Sequence, residues 1–249
     1  SIKKGDKEMA KLLIKDKPVI NNLSISYALK SNDIELVDIV LSFEIDPIYI
    51  SLFLDIAVWN ENLQIVKRLL SIPGINPNLL DKNNYTSFSI AIKIFNYDII
   101  TAFLDFYEKE IQYPILQVKY ILRKLMEKIL PKNDIHFLDV IKRLIKDKNI
   151  DWNFHHNSNT FLIEAIMKNN LELVQLLLDS DKVDVNIWEL SNKATPLIIS
   201  ILNGNLTIAK QLINYPKTNI NFVNHDLQTA LITAVEMKQI EIIKLLINC

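Results

Sequence analysis

The sequence predicts an all-α solenoid of stacked helix-turn-helix units, and three observations lead to this fold class. An amphipathic pattern close to Asn-x-Glu-Leu-Val-x-x-Leu-Leu occurs eight times along the 249 residues. The fourth residue of each copy lies at position 8, 35, 64, 98, 136, 172, 207 or 241, so neighbouring copies are 27 to 38 residues apart. A shorter helical pattern precedes most copies. Paired helices repeated at this period are typical of a solenoid, in which each unit packs only on its neighbours.

The shorter pattern predicts an inner helix that pairs with the repeated outer helix. It is clearest from Thr195 to Ser200, where Thr195 can cap the first turn and Pro196 occupies a position that needs no N–H donor. The sixth position of the pattern holds a small residue, which lets neighbouring inner helices approach closely. We expect these small residues to be structural: Ala28, Ala57, Ala91, Ala165, Ser200 and Ala234.

The two patterns together resemble the ankyrin repeat, whose inner helix begins Thr-Pro-Leu-His-x-Ala. Asp184-Val185-Asn186 and Asn219-Ile220-Asn221 match the Asp-Val-Asn that opens the hairpin finger of that family. The resemblance covers nearly the whole chain and implies a single domain, 1–249, with short hairpin fingers. Its units are a half repeat at 1–17 and repeats at about 18–46, 47–77, 78–110, 111–152, 153–185, 186–220 and 221–249.

The chain also departs from the family pattern. None of its units keeps the histidine, and Glu61, Phe95 and Lys238 fill the slot between helices where the family usually has glycine. We expect those three turns to differ in geometry from the turns at Gly204 and Asn169, whose residue types tolerate a left-handed backbone. The unit at 107–149 is the most divergent. Its inner helix is predicted at 115–129, longer than its equivalents, with a local break in the superhelix.

The composition excludes several classes of function. A net charge of −1 gives no general attraction to nucleic acid, and no segment is apolar enough for membrane insertion. Cys249 is the lone cysteine, the three glycines form no phosphate-binding loop, and His155 and His156 lack further ligands at metal spacing. We therefore expect a non-enzymatic, cytoplasmic protein without cofactor or metal.

The resemblance implies a partner protein or peptide bound on the concave face, which the fingers and the exposed side of the inner helices form. The fifth and eighth inner-helix positions and the fingertips are unusually apolar for such a face, and exposed apolar patches mark interaction sites. Trp59 and Trp188 are expected to contribute most, because tryptophan is enriched in binding hot spots. The alternative is that tight curvature buries Trp59, Met167 and Leu202, while Trp152 aligns with core positions. The predicted partner-binding residues are Tyr27, Trp59, Ile90, Lys93, His155, Met167, Trp188, Ile199 and Leu202.

A second surface and two further functions follow from other features. A basic stripe could receive an acidic partner, although a solvated charged face explains it as well: Lys119, Arg123, Lys124, Lys128 and Lys132. The outer helix at the start and the apolar end at 245–249 lack the polar caps that solenoids usually carry. We therefore expect either a longer array or self-association through uncapped ends. The chain could also be the targeting region of a larger enzyme or effector.

Overall fold

The structure, a computed structural model, describes residues 22–110, 116–129 and 135–249. In the first helix it describes side chains from Ile25 onward, except that of Tyr27. The predicted half repeat at 1–17, the side chain of Tyr27 and Lys132 therefore lie outside the described parts.

The described residues form α-helices joined by turns and short fingers, and they contain no β-strand. Isolated β-bridges join Leu80 to Thr86 and His156 to Asn159 in two fingers. The predicted all-α fold class is confirmed. The helices are α1 (Asn22–Lys30), α2 (Ile34–Leu41), α3 (Pro47–Ser51), α4 (Leu54–Trp59), α5 (Leu63–Leu70), α6 (Ser87–Ile94), α7 (Tyr97–Lys109), α8 (Val118–Met126), α9 (Ile135–Leu144), α10 (Phe161–Met167), α11 (Leu171–Asp179), α12 (Pro196–Leu202), α13 (Leu206–Ile213), α14 (Ala230–Glu236) and α15 (Ile240–Ile247).

Threonine caps start four of the inner helices, as the sequence predicts. In α6, α10, α12 and α14 the hydroxyl oxygen of the preceding threonine accepts a backbone N–H from three residues later, at 3.1 to 3.4 Å. Pro196 is the first residue of α12. Each cap satisfies one of the donors that a helix start leaves without an intrahelical partner.

The turns between paired helices share one geometry, so the expected difference at Glu61, Phe95 and Lys238 is wrong. These three residues have φ of 53°, 62° and 55°, in the same left-handed region as Asn169 at 51° and Gly204 at 70°. The physical reason is the hydrogen bonding that ends the inner helix. Beyond Glu61, for example, the N–H of Asn62 reaches back to the Ala57 carbonyl at 3.3 Å, a bond that requires the left-handed residue.

Asparagine side chains link neighbouring repeats. The Asn62 side chain caps α5 at 3.1 Å and donates to Asn32 Oδ1 at 2.8 Å. In the fingers, Asn186 Oδ1 accepts the Asn219 N–H at 2.7 Å, and its Nδ2 donates to the Lys217 carbonyl at 2.8 Å. These bonds fix the register of one repeat on the next in addition to apolar packing.

The chain separates into two compact units, 1–117 and 118–249. In the first, inner helices α1, α4 and α6 pack in sequence, and outer helices α2, α5 and α7 pack in a second row. Phe88 and Phe103 meet in its core with ring centroids 5.6 Å apart. The assignment of 1–249 to one domain remains a prediction.

In the second unit, α8, α10, α12 and α14 form the inner row, and α11, α13 and α15 form the outer row. Trp152 is buried in an edge-to-face contact with Phe161, centroids 5.1 Å apart, which confirms its predicted place in the core. The inner helix predicted at 115–129 is too long, because α8 begins at Val118 and ends at Met126. Gln117 has φ of 59°, and this left-handed residue stops the helix from extending further towards the N-terminus.

Candidate functional site

The fifth inner-helix position is buried at two of the predicted partner-binding residues, which corrects the expectation that it faces solvent. Ile90 on α6 and Ile199 on α12 are both buried, as is Thr233 on α14. The small residues at the sixth position are buried too, so adjacent inner helices approach closely enough to cover the fifth position as well. Ile90 and Ile199 therefore present no side chain to a partner.

The eighth position of the inner helices is exposed, and so is Trp188 at the tip of its finger. Trp59 and Trp188 are 47% and 37% exposed, and Met167 and Leu202 are also exposed. The alternative in which curvature buries Trp59, Met167 and Leu202 is therefore wrong. Because large apolar side chains in water are costly, their repeated exposure at one repeat position needs an explanation.

In the first unit, Trp59 belongs to a cluster of two aromatic rings and one ammonium group. Lys93, at the eighth position of α6, holds its Nζ 5.3 Å from the centre of the Trp59 ring and 5.0 Å from that of Tyr85. Such cation–π contacts hold an exposed lysine in one place. The pKa of the Asp55 carboxyl on α4 is raised above its ordinary value, chiefly by burial. The Ile56 backbone N–H lowers this pKa in part, and the charge of Asp81 raises it further.

In the second unit, Trp188 lies at a fingertip supported from two sides. Its ring stacks on Phe222 with centroids 5.4 Å apart and planes at 29°. His155 Nε2–H donates to the Trp188 carbonyl at 3.0 Å, and Lys193 Nζ lies 5.8 Å from the centre of the indole ring. The exposed indole is therefore held in place before any partner arrives, which lowers the entropy cost of binding.

A buried carboxylate shapes the loop that follows Trp188. Glu189 accepts backbone N–H bonds from Ser191 at 2.7 Å and Asn192 at 2.5 Å, and a further bond from the Ser191 hydroxyl. Burial raises the pKa of Glu189, but these hydrogen bonds outweigh burial and hold the pKa below its ordinary value. The charged carboxylate thus rigidifies the finger.

Met167 and Leu202 are exposed eighth-position residues of the second unit. They lie at the ends of α10 and α12, and these two helices pack against each other. The Met167 sulfur lies 3.2 Å from Asn159 Nδ2. The two apolar side chains are one repeat apart, so an interhelical spacing of about 8–10 Å separates their helices. A partner could contact both of them.

The basic stripe on α8 is largely engaged within the second unit. Lys119 Nζ lies 5.6 Å from the centre of the Phe154 ring, and the Arg123 guanidinium lies 5.2 Å from that of Tyr120. Lys124 donates to Glu127 Oε2 at 2.6 Å, a bond that lowers the pKa of Glu127, while Lys128 is exposed. These contacts favour a solvated charged face, and an acidic partner at this stripe remains a prediction.

Neither metal-binding nor membrane-spanning features occur in the parts of the chain that the structure describes. Within 22–110, 116–129 and 135–249 there is no group of three His, Cys, Asp or Glu side chains that could hold a metal ion. None of the helices described in those ranges is long and apolar enough to cross a membrane.

Comparison with known families shows which kind of repeat this is. A family model described as "Ankyrin repeats (3 copies)" matches residues 182–249, and one described as "Ankyrin repeat" matches residues 157–189. Residues 157–249 therefore carry ankyrin repeats. Ankyrin repeats are generally protein–protein interaction modules rather than enzymes. None of the curated proteins matches the chain.

Solved ankyrin-repeat structures share the fold over most of the chain. The ankyrin repeat domain of Bcl-3, a member of the IkappaB protein family, is 20% identical with a TM-score of 0.62, over 90% of this chain and 97% of that one. An ankyrin repeat domain from Acinetobacter baumannii is 18% identical with a TM-score of 0.59, over 78% and 96%. A chain from the complex of a predatory endopeptidase with an immunity protein, from Bdellovibrio bacteriovorus, is 23% identical with a TM-score of 0.54, over 78% and 96%.

The candidate surface includes residues that the repeat pattern does not indicate. Tyr85 and Lys193 lie in fingers just before a capping threonine, and Phe222 follows the Asn219-Ile220-Asn221 that opens another finger. The sequence indicates them only as aromatic and basic residues at finger positions whose residue type the repeat pattern does not specify. Their contacts with Trp59 and Trp188 depend on side-chain placement, which repeat spacing does not specify.

Proposed function

We propose that this chain is a non-enzymatic scaffold that binds a partner protein or peptide through the surface corresponding to the concave face of ankyrin repeats. The observation that carries the proposal is the exposure of Trp59, Met167, Trp188 and Leu202 at finger and inner-helix positions. Buried apolar area drives most association, and these side chains offer that area to a partner.

The organisation of the surface supports this proposal. In each unit an exposed tryptophan lies beside a lysine ammonium, Lys93 in the first and Lys193 in the second. Tryptophan supplies a hot spot, and a lysine fixed beside it supplies a directed charge for a carboxylate of the partner. Each tryptophan is expected to act as a binding hot spot within its own unit.

Affinity capture from native lysate, followed by mass spectrometry, tests the proposal. Wild-type chain and the variants Trp59→Ala, Trp188→Ala and Leu171→Ala serve as parallel baits. Leu171 is the matched control, because it is exposed and apolar but begins outer helix α11.

We expect at least one protein captured by wild type and by Leu171→Ala to be lost from both tryptophan variants, since hot-spot truncation costs about 2 kcal/mol or more. Equal capture of the same proteins by all four baits would contradict the site.

A further inference from the structure

The eighth inner-helix positions of the first unit combine two cations with one aromatic ring. Lys30 ends α1, Trp59 ends α4 and Lys93 lies in the last turn of α6. All three side chains are exposed. In the second unit, two apolar residues and a glutamate fill this position on α10, α12 and α14, so the repeat itself does not require lysine there. Lys30, Trp59 and Lys93 are called the Lys-Trp-Lys row below.

The Lys-Trp-Lys row is continuous because the helices that carry it are neighbours. Helix α1 packs on α4, and α4 packs on α6. Asn60, which follows Trp59, donates its Nδ2–H to the carbonyl of Leu29, which precedes Lys30, at 2.9 Å. On the other side, Lys93 Nζ lies 5.3 Å from the centre of the Trp59 ring. Neighbouring helix axes about 8–10 Å apart place α1 and α6, which carry the two lysines, about 16–20 Å apart.

The two lysines form no ion pair within the part of the chain that the structure describes, where the ion pairs involve other basic residues. Two acidic residues near the row instead accept backbone N–H groups. Asp55 on α4 accepts the N–H of Ile56 at 2.8 Å. Asp81 accepts the N–H groups of Asn83 and Tyr85, each at 2.8 Å. The positive charge on both sides of the exposed indole is therefore available to a partner.

We propose that the Lys-Trp-Lys row binds an extended acidic segment of a partner protein. An apolar side chain of that segment packs on the Trp59 ring, and its carboxylates lie beside Lys30 and Lys93. The inference rests on the proposed function, because it names the kind of partner that the same surface receives. A basic segment would meet two ammonium groups of its own charge, which disfavours it as the partner.

The spacing of the lysines sets the spacing of the carboxylates. An extended chain rises about 3.3 Å per residue, so a distance of about 16–20 Å corresponds to about five or six residues. The segment therefore has two acidic residues that far apart, with a large apolar residue between them.

A protein segment fits this row better than a single-stranded nucleic acid does. A nucleic acid also combines rings with negative charge, but it carries a phosphate at every nucleotide. Asp55 and Asp81 would repel such a continuous series of charges, and the net charge of the chain is −1. A peptide needs carboxylates only at the two lysines.

Selection from a display library of random peptides tests the inference. Peptides of about twelve residues span about 40 Å when extended, which is enough to reach both lysines. The baits are wild type, the double variant Lys30→Gln/Lys93→Gln, and the control Lys67→Gln, whose exposed lysine lies on outer helix α5. Glutamine removes the charge and keeps a polar side chain, and circular dichroism checks that each bait is folded.

Wild type and Lys67→Gln should enrich peptides with two acidic residues about five or six positions apart, on either side of a large apolar residue, and the double variant should not. In fluorescence anisotropy, the most enriched peptide should bind Lys30→Gln and Lys93→Gln each about 2–5-fold more weakly than wild type, as expected for exposed ion pairs. Its affinity for wild type should also fall as salt is added.

Three results would overturn the inference: enrichment on wild type without acidic residues, no enrichment over the double variant, or acidic peptides that bind the double variant as tightly as wild type. Competition by a mixed-sequence single-stranded oligonucleotide, at the concentration of the peptide or lower, would overturn the assignment to a protein segment.

The proposed function fails by a different result. If the enriched peptides bind Trp59→Ala and Trp188→Ala with wild-type affinity, the surface around the tryptophans is not the binding site. If Trp59→Ala loses peptides that show no preference for acidic residues, the surface binds a partner and only the acidic assignment is refuted.

Discussion

Replacing Asn186 by alanine tests whether the finger asparagines hold neighbouring repeats together. The wild-type side chain accepts the Asn219 N–H at 2.7 Å and donates to the Lys217 carbonyl at 2.8 Å. Each such bond contributes about 0.5–1.5 kcal/mol net, so two contribute about 1–3 kcal/mol. Water can reach these groups after truncation, because the finger is solvent-accessible. We therefore expect a loss of about 1–2 kcal/mol in the free energy of unfolding.

Urea denaturation followed by far-ultraviolet circular dichroism measures this loss as a lower midpoint at an unchanged slope. Asn214→Ala is the matched control, because Asn214 is an exposed asparagine directly after α13. It should change stability by less than about 0.5 kcal/mol, as surface substitutions usually do. If Asn186→Ala costs no more than Asn214→Ala, the inter-repeat bonds do not stabilise the stack.

Two further predictions concern backbone strain and a buried charge. Lys238→Gly should raise the free energy of unfolding by about 0.5–1 kcal/mol in urea denaturation, because a residue with φ of 55° is less strained as glycine. The control is Lys244→Gly, within helix α15, which should lower the free energy of unfolding by about 1 kcal/mol. Equal effects of the two replacements would contradict the strain argument. Glu189→Gln should cost about 1–3 kcal/mol at neutral pH. Because the folded pKa of Glu189 is lowered, its stabilisation exists above the unfolded pKa of about 4.3 and is lost as pH falls through the folded value. The urea midpoint of wild type should therefore exceed that of Glu189→Gln at neutral pH, and the difference should disappear at acidic pH. A difference that stays constant with pH would argue against stabilisation by the charged carboxylate.

Repeat-level features of the fold could be predicted from the sequence because they recur. Thr195 and Pro196 begin α12, the small sixth residues are buried, and Trp152 is in the core. These positions follow from helix periodicity and capping, which are local. The fifth position could not be predicted in the same way: whether Ile199 faces water depends on how closely two inner helices approach.

The turns and the asparagine bonds were harder to foresee for a different reason. Residue type predicts that Lys238 avoids a left-handed backbone, but the bond from the Gln239 N–H to the Ala234 carbonyl at 2.9 Å, at the end of the inner helix, requires that conformation. Asn186 bonds to residues more than 30 positions away. Such a bond becomes visible only once the stacking register places the two repeats side by side.

The exposure of two candidate residues could be predicted from the sequence, while their role in binding remains a prediction. Residue type and repeat position favour Trp59 and Trp188, and both are exposed. The lysine contacts and the stacked Phe222 ring could not be read from spacing, because several rotamers would serve equally well at an exposed position.

Titration calorimetry of the captured partner against four folded chains tests the central claim most directly: wild type, Trp59→Ala, Trp188→Ala and Leu171→Ala. We predict that each tryptophan variant weakens binding about 30-fold or more, while Leu171→Ala binds as wild type does. All variants should keep the free energy of unfolding within about 1 kcal/mol of the wild-type value. Wild-type affinity in both tryptophan variants would show that the partner binds elsewhere and would contradict the account.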